Sequence, residues 1–306
     1  MEVWALVMFA VAIGALLLGY PVAFTLGAIA LLFGTIALGF DYFFLLPLRI
    51  WGILTNFTLL AVPLFVFMGV ILEKSGLAEE LLETMAMLCG RMRGGLAFSV
   101  IIVGALLAAT TGVVGATVVT MGVIALPAML KHGYSPSLAT GTIASAGTLG
   151  QVVPPSIVLI LLADVVGVPI GSLFLAAVVP GLILITGYIA YIAVKAWLDP
   201  ESAPPIILTD QQSIGPRVLK SLIPTLLLIV AVLGSIFFGI ASPTESAAIG
   251  GTGALLLAAV HRRLSLDNLQ LAALQTMKLT SMVFIILIGA TAFGLVFKGM
   301  GGDRLV

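Results

Sequence analysis

Two stretches of this 306-residue chain combine residue types able to hold a charged solute: "ATTGVVGAT" at 109–117 and "GTLGQVVPPSIV" at 147–158. Neither contains an ionisable side chain, and both interrupt runs otherwise apolar enough to cross a lipid bilayer. Proline removes a backbone donor and clashes with the preceding turn, at a cost of about 3 kcal/mol in a helix interior. In hydrocarbon the freed carbonyls have no water to turn to, so such a break persists only where protein or a wet cavity satisfies it. The second stretch therefore reads as a helix ending at Gly150, irregular backbone through Gln151–Pro155 and a second half-helix from about Ser156. The first half offers C-terminal carbonyls to a cation, and the second offers N-terminal amides to a carboxylate. The 109–117 stretch reads as a hairpin tip built from two more half-helix ends. Side by side, the two breaks supply carbonyls, the hydroxyls of Thr110, Thr111 and Thr117, and glycines that let backbone approach a ligand closely. That suffices for a sodium ion and a small anion without a buried charge. Candidate substrate contacts are Thr110, Thr111, Gly112 and Ser156; candidate sodium ligands are Thr111, Gly150, Val153 and Pro155. Either break alone reads equally well as a repaired kink or a Gly/Thr helix contact. Two in tandem favour a site.

A third break, "GIASPTE" at 239–245, has a structural explanation of its own. Ser242 as N-cap, Pro243 at the first helical position and Glu245 three residues on make a capping box. The functional alternative is a second ion site with oxygens from Gly239 and Ser242. Asp164 reads as an interfacial charge, with a proton relay as the alternative. Glu73, Lys74 and the charges of 79–93 read as a solvated interfacial helix. His132 and His261 lie at segment ends without a second ligand at metal spacing, so loop solvation is the expected role. The single Cys89 forms no internal disulfide. No nucleophile with a base, no paired carboxylates and no Gly-x-x-x-x-Gly-Lys-Ser/Thr loop occur. The reading is therefore not an enzyme, with Na+ as coupling ion and no organic cofactor. Net charge is zero, which gives nucleic acid no purchase. A channel is the remaining rival, since re-entrant hairpins also build filters.

These stretches need a membrane scaffold. The chain is 61% hydrophobic and 8% charged, against about 25% charge in soluble domains. Apolar segments fall at about 3–18, 22–40, 57–72, 96–130, 137–166, 172–198, 217–240, 244–260 and 279–297, several near or above the roughly 18 residues of a span. Val3–Leu18 lacks a basic start and a small-residue cleavage site, so it reads as a retained helix rather than a signal peptide. Amphipathic stretches at 42–54, 76–95 and 264–277 lie between the apolar segments. The fold class expected is an all-α polytopic membrane protein.

Positive charge sets an expected topology. Segment 96–130 has Arg91 and Arg93 before it and Lys131 after it, and fits a re-entrant hairpin that returns to its starting side. With that side cytoplasmic, ten of the 13 Lys/Arg lie inside, leaving Arg49, Lys298 and Arg304 outside and the N-terminus periplasmic. The order of helix, break, helix, amphipathic stretch and helix then recurs from 217 in the opposite orientation. Inverted repeats with broken helices at mid-membrane are the common build of secondary transporters. The expected parts are scaffold and interfacial arm helices of the first repeat (1–95) and a transport domain (96–171) with hairpin 96–131 and broken helix 137–166. A connecting helix (172–198), a cytoplasmic linker (199–216) and the start of the inverted second repeat (217–306) follow. The second unit's own hairpin would begin at about 306, so the reading expects a C-terminal truncation.

The segments "GYPVAFTLGAIALLFG", "VPLFVFMGVILEKSGLAEELLETM", "GVVGATVVTMGVIALPAMLKHGYSPSLATGTIASAGTLGQVVPPSIVLILLADV" and "GIASPTESAAI" resemble the large membrane subunit of tripartite ATP-independent periplasmic (TRAP) transporters. The resemblance covers nearly the whole chain. It implies a sodium-coupled importer of organic anions, with a carboxylate as substrate, working by an elevator motion in the bacterial inner membrane. It also implies two partners, a periplasmic substrate-binding protein and a small four-helix membrane subunit. The family's Gly-x-x-x-Pro-Pro-Ser break matches Gly150, Pro154, Pro155 and Ser156, and its Thr-Pro-Thr-Glu appears as Ser242–Glu245. Where the family often has Ser-Gly-Ser at the first hairpin tip, this chain has Thr111-Gly112-Val113, keeping the first hydroxyl and losing the second. A stand-alone sodium/anion symporter of the same architecture is the alternative.

Overall fold

Gly19 (φ 85°) and Pro21 end the first apolar run and start the next, so that helix α1 (Glu2–Leu17) is followed at once by α2 (Val22–Ala37). The computed structural model describes residues 2–111, 114–205 and 214–304, with the side chains of 108–111, 116, 214 and 217 outside the description. Among the described residues all regular structure is helical. Among the described residues four helices are long and apolar enough to cross a membrane: Phe57–Lys74, Ile170–Leu198, Val218–Phe237 and Leu266–Gly299. The protein is thus an all-α, multi-pass membrane protein.

The chain forms two compact units. One comprises Met1–Phe57 and Met277–Val306. After α2 a 3-10 turn (Phe40–Leu45) leads into the short amphipathic helix α3 (Leu46–Leu54). Ala5, Met8, Ala30 and Phe33 pack with Ala292 and Val296 to form its core. The Tyr42 hydroxyl donates to the Leu295 carbonyl at 3.2 Å.

The other unit, Thr58–Thr276, holds the breaks. Its elements begin with α4 (Ala61–Lys74), α5 (Leu77–Cys89), α6 (Gly95–Thr111), α7 (Val114–Lys131) and α8 (Pro136–Thr148). They continue with α9 (Ile157–Val166), α10 (Ile170–Leu198), the short α11 (Ile214–Arg217), α12 (Ile223–Phe237), α13 (Pro243–Val260) and the start of α14 (Leu266–Gly299). Helix α13 lies along α4, with Gly250 against Met68. The apolar face of α5 (Leu81, Leu82, Met85) is buried with α6, α7 and α8 in one core that includes Ile101, Met121, Met129 and Ile143.

Two features depart from the sequence reading. The amphipathic stretch 264–277 and the apolar segment 279–297 form one uninterrupted helix, α14. No proline or glycine occurs from Leu266 to Ile288, and Leu, Ala, Gln, Met and Lys all favour helix, so nothing stops it. Glu79, Glu83, Arg91 and Arg93 are exposed as expected, but Glu73 and Glu80 are less solvated. The Glu73 side chain is only 12% exposed and accepts a hydrogen bond from Thr120 Oγ1 on α7 at 3.1 Å. Arg263 reaches Glu80 at 3.5 Å and donates to the Ser75 and Gly76 carbonyls.

Candidate functional site

Helices α6 and α7 are joined across residues 112–113, and 17 and 18 residues give them lengths of about 25 and 27 Å. Their far ends are tied together. The Leu96 amide donates to the Tyr134 hydroxyl at 3.1 Å. The Gly94 and Ser135 amides donate to the neighbouring carbonyls of Ala203 and Ser202, at 2.9 and 3.0 Å. Burial pushes the Tyr134 phenol above its usual range, which keeps it neutral as the acceptor at this base. Segment 95–131 therefore leaves and regains one point of the fold. Thr110 and Thr111 end α6 with side chains outside the described residues, and Gly112 lies outside them altogether. Thr117 is 3% exposed.

Helix α8 rises from the same base and packs on both arms of the hairpin. A Cβ at Gly104 would sit 2.5 Å from that of Ala146, and a Cβ at Gly147 has no room against Val118. Only glycine permits these two approaches. They also fix the register: Thr111 lies seven residues beyond Gly104, and Val114 four before Val118. Counted from those contacts, Thr111 and Val114, the described ends of the two arms, stand level with residues 151–153. The 3-10 turn Leu149–Gln151 packs against both α6 and α7, as that register requires. The turn that opens the second break thus lies against the two arms that flank 112–113, residues which are themselves outside the described ones.

The second break is organised by its prolines. Helix continuation would send the amides of residues 154 and 155 to the carbonyls of Gly150 and Gln151, and proline has no such donor. The Gln151 carbonyl is recovered by the Ser156 hydroxyl at 3.0 Å. The Leu149 carbonyl accepts from the amides of Val152 and Val153 at 3.0 and 2.8 Å. The Gly150 carbonyl has lost its helical donor and is buried with Pro154 and Pro155. The peptide bond between those prolines is cis. Ser156 is fully buried and caps α9, its Oγ accepting from the Leu159 amide at 3.5 Å. Its hydroxyl is therefore committed to backbone, and what α9 presents outward is its first-turn amides. Val153 is half-buried beneath Gly181 of α10.

Gly239 and Ser242 are not part of this cluster. They lie in the turn between α12 and α13, beside the far end of α9, where Asp164, Gly171, Ile236, Ala241 and Pro243 share a cavity of about 430 Å³. Ten residues put that end about 15 Å from the break. The capping box is formed: the Ser242 amide and hydroxyl donate to Glu245 Oε2 at 2.7 and 2.8 Å, and the Glu245 amide donates back at 3.3 Å. Gly239 is exposed, with φ 67°.

His261 has a role that the sequence reading misses. Its Nδ1 and Nε2 each lie 2.8 Å from a carbonyl, those of Leu257 and Lys220. Pro224 stands where an amide would otherwise serve Lys220, and the π-turn Val218–Leu222 opens that carbonyl to the imidazole. The signal was a histidine at a helix end and a proline four residues past a lysine, 41 residues apart. Only the packing of α12 on α13 joins them.

The sequence pattern of the tripartite ATP-independent periplasmic transporter, DctM component, matches residues 7–305. The chain is 34% identical over 251 residues to the C4-dicarboxylate TRAP transporter large permease protein of Pseudomonas aeruginosa, covering 81% of this chain and 58% of that one. It is 32% identical over 255 residues to the protein of the same description from Vibrio cholerae, covering 82% and 55%. To the ectoine TRAP transporter large permease protein of Halomonas elongata it is 31% identical over 291 residues, covering 94% and 67%. The chain thus spans little more than half the length of the first two.

Proposed function

The chain belongs to the DctM component family of tripartite ATP-independent periplasmic transporters, and from that premise we propose that it is the permease of a sodium-coupled importer of small organic anions. The observation that carries the proposal is the start of the Gly150–Ser156 break packed against α6 and α7, level with Thr111 and Val114. Four half-helix ends converge there. The carbonyl end of α8 suits a sodium ion, and the amide end of α9 suits a carboxylate. Gly150, Val153, Pro155 and Thr111 are proposed for the ion, with Thr110, Thr111, Gly112 and the α9 start held by Ser156 for the substrate. Gly239 and Ser242 are proposed as a separate ion site. Movement is by an elevator step of the hairpin and broken helix, a reading supported by the packing of α8 on both hairpin arms through Gly104 and Gly147. Relatives are named for a C4-dicarboxylate and for ectoine, which supports a small carboxylate-bearing solute as the cargo. The proposed setting is the bacterial inner membrane with the N-terminus periplasmic, following the bias of lysine and arginine.

The test is uptake by proteoliposomes holding the full-length transporter with its small membrane subunit and periplasmic binding protein. Uptake of a C4-dicarboxylate is expected only down an inward sodium gradient. Undiminished uptake with choline in place of sodium overturns the ion assignment.

A further inference from the structure

Away from the break, a groove of about 300 Å³ runs between α8 and α10 and is lined by Ser137, Thr142, Ser145, Tyr188, Tyr191 and Lys195. Its floor is apolar, formed in part by Ile101 and Ile192. Among the described residues none of the five side-chain hydroxyls has a hydrogen-bond partner. Thr142 is the telling one: it is 5% exposed, yet its hydroxyl is not sealed in the core and opens on the groove. A hydroxyl withdrawn from water without a partner costs free energy, and those of Thr142, Ser145 and Tyr188, buried or half-buried around one groove, ask for an occupant rich in acceptors.

The surroundings define that occupant. Helix α10 is a 29-residue span with only 17% of its apolar window buried, so its outer face meets lipid or another membrane helix. Tyr191 and Trp197, 65% and 78% exposed, stand in its last two turns, where aromatic side chains mark the boundary between hydrocarbon and headgroups. Lys195 stands at that level, its ammonium 3.1 Å from Asp199. The groove then runs inward from Lys195 to Tyr188, seven residues or about 10 Å along the helix. A cation at headgroup depth, hydroxyls directly beneath it and an apolar floor match the order of groups along a glycerophospholipid. We propose that this groove holds one glycerophospholipid. Its phosphodiester meets Lys195 and Ser137, its ester oxygens accept from Thr142, Ser145 and Tyr188, and its chains lie along α10. A free anion would use Lys195 but leave the inner hydroxyls and the apolar floor unmatched.

The experiment uses the whole transporter purified in maltoside micelles and stripped of lipid. Dioleoyl phosphatidylglycerol is titrated in, with binding read by native mass spectrometry and by the rise in unfolding temperature. One retained lipid and a saturable rise are expected. Thr142→Val with Tyr188→Phe keeps volume while removing two hydroxyls, and should weaken binding about tenfold. Lys195→Gln, at the partly exposed mouth, leaves the packed core untouched and should weaken it similarly. Both variants should match the wild-type unfolding temperature in lipid-free micelles. Unchanged lipid affinity in both variants overturns the proposal. So does an equal rise with inorganic phosphate alone, which would make the groove a soluble-anion site.

Discussion

Pro154 and Pro155 act by subtraction: each deletes the one donor that would have closed the carbonyl four residues before it. Ser156 restores one of the two through its hydroxyl, so the carbonyl left without a replacement for its helical donor is that of Gly150, the one proposed for the ion. Pro154→Ala with Pro155→Ala returns both donors and lets α8 continue. The expected result is a sodium concentration for half-maximal uptake raised severalfold, with normal expression and normal association with the small subunit. Weaker assembly with an unchanged sodium requirement would mean that the prolines serve packing alone. Ser156→Ala tests the hydroxyl that both caps α9 and closes the Gln151 carbonyl. It should lower stability by about 1 kcal/mol, the usual worth of an N-cap hydroxyl, read as a drop in the urea midpoint in micelles. Ser156→Thr keeps a hydroxyl that can both donate to the Gln151 carbonyl and accept from the Leu159 amide, and should recover much of the loss. Equal midpoints for wild type and Ser156→Ala would show that the cap contributes nothing.

At the scale of elements, the α6–α7 hairpin depends on its base as much as its tip. Tyr134, Ser202 and Ala203 draw the two ends together, so Arg93 and Lys131 belong at one surface. In a Cys89→Ser background, cysteines placed at 93 and at 131 should both react with an impermeant maleimide from the cytoplasmic side. Labelling from opposite sides would undo both the hairpin and the inverted repeat. Helix α8 is seated by Gly104 and Gly147, where backbones approach too closely for a side chain. Gly147→Val should force α8 away from α7 and cost about 1–3 kcal/mol, as overpacked sites do. Because it also lifts the break away from the tip, uptake should fall further than stability does. A drop in the urea midpoint with uptake per folded molecule unchanged would place the transport step elsewhere.

The whole molecule is described as two units, and the breaks that carry the proposed transport step all belong to Thr58–Thr276. A permease that takes its solute from a binding protein and a symporter that works alone would share this architecture. The difference lies in delivery. Uptake by the reconstituted full-length transporter should require the periplasmic binding protein, with omission reducing it to the level of empty liposomes. Full activity with free solute alone would favour the stand-alone symporter.

The sequence by itself determined the membrane setting, the helical class and the position of each break. These are local properties: run length, proline and glycine placement and capping residues act within a few residues along the chain. The capping box at Ser242–Glu245 is of this kind, and it forms as its spacing requires. Continuity of α14 was also written locally, in the absence of any breaker, but the amphipathic pattern of 264–277 masked it. Tertiary structure decided which breaks meet. Gly104 and Ala146 are 42 residues apart, and Gly147 and Val118 are 29 apart, yet these contacts set the height of both hairpin arms against α8 and the break that follows it. The same packing leaves Gly239 and Ser242 at the far end of α9 and gives Glu73, Arg263 and His261 partners on other helices. A single sequence carries no mark for such pairings, because a side chain's type does not state which distant helix will fill the space beside it.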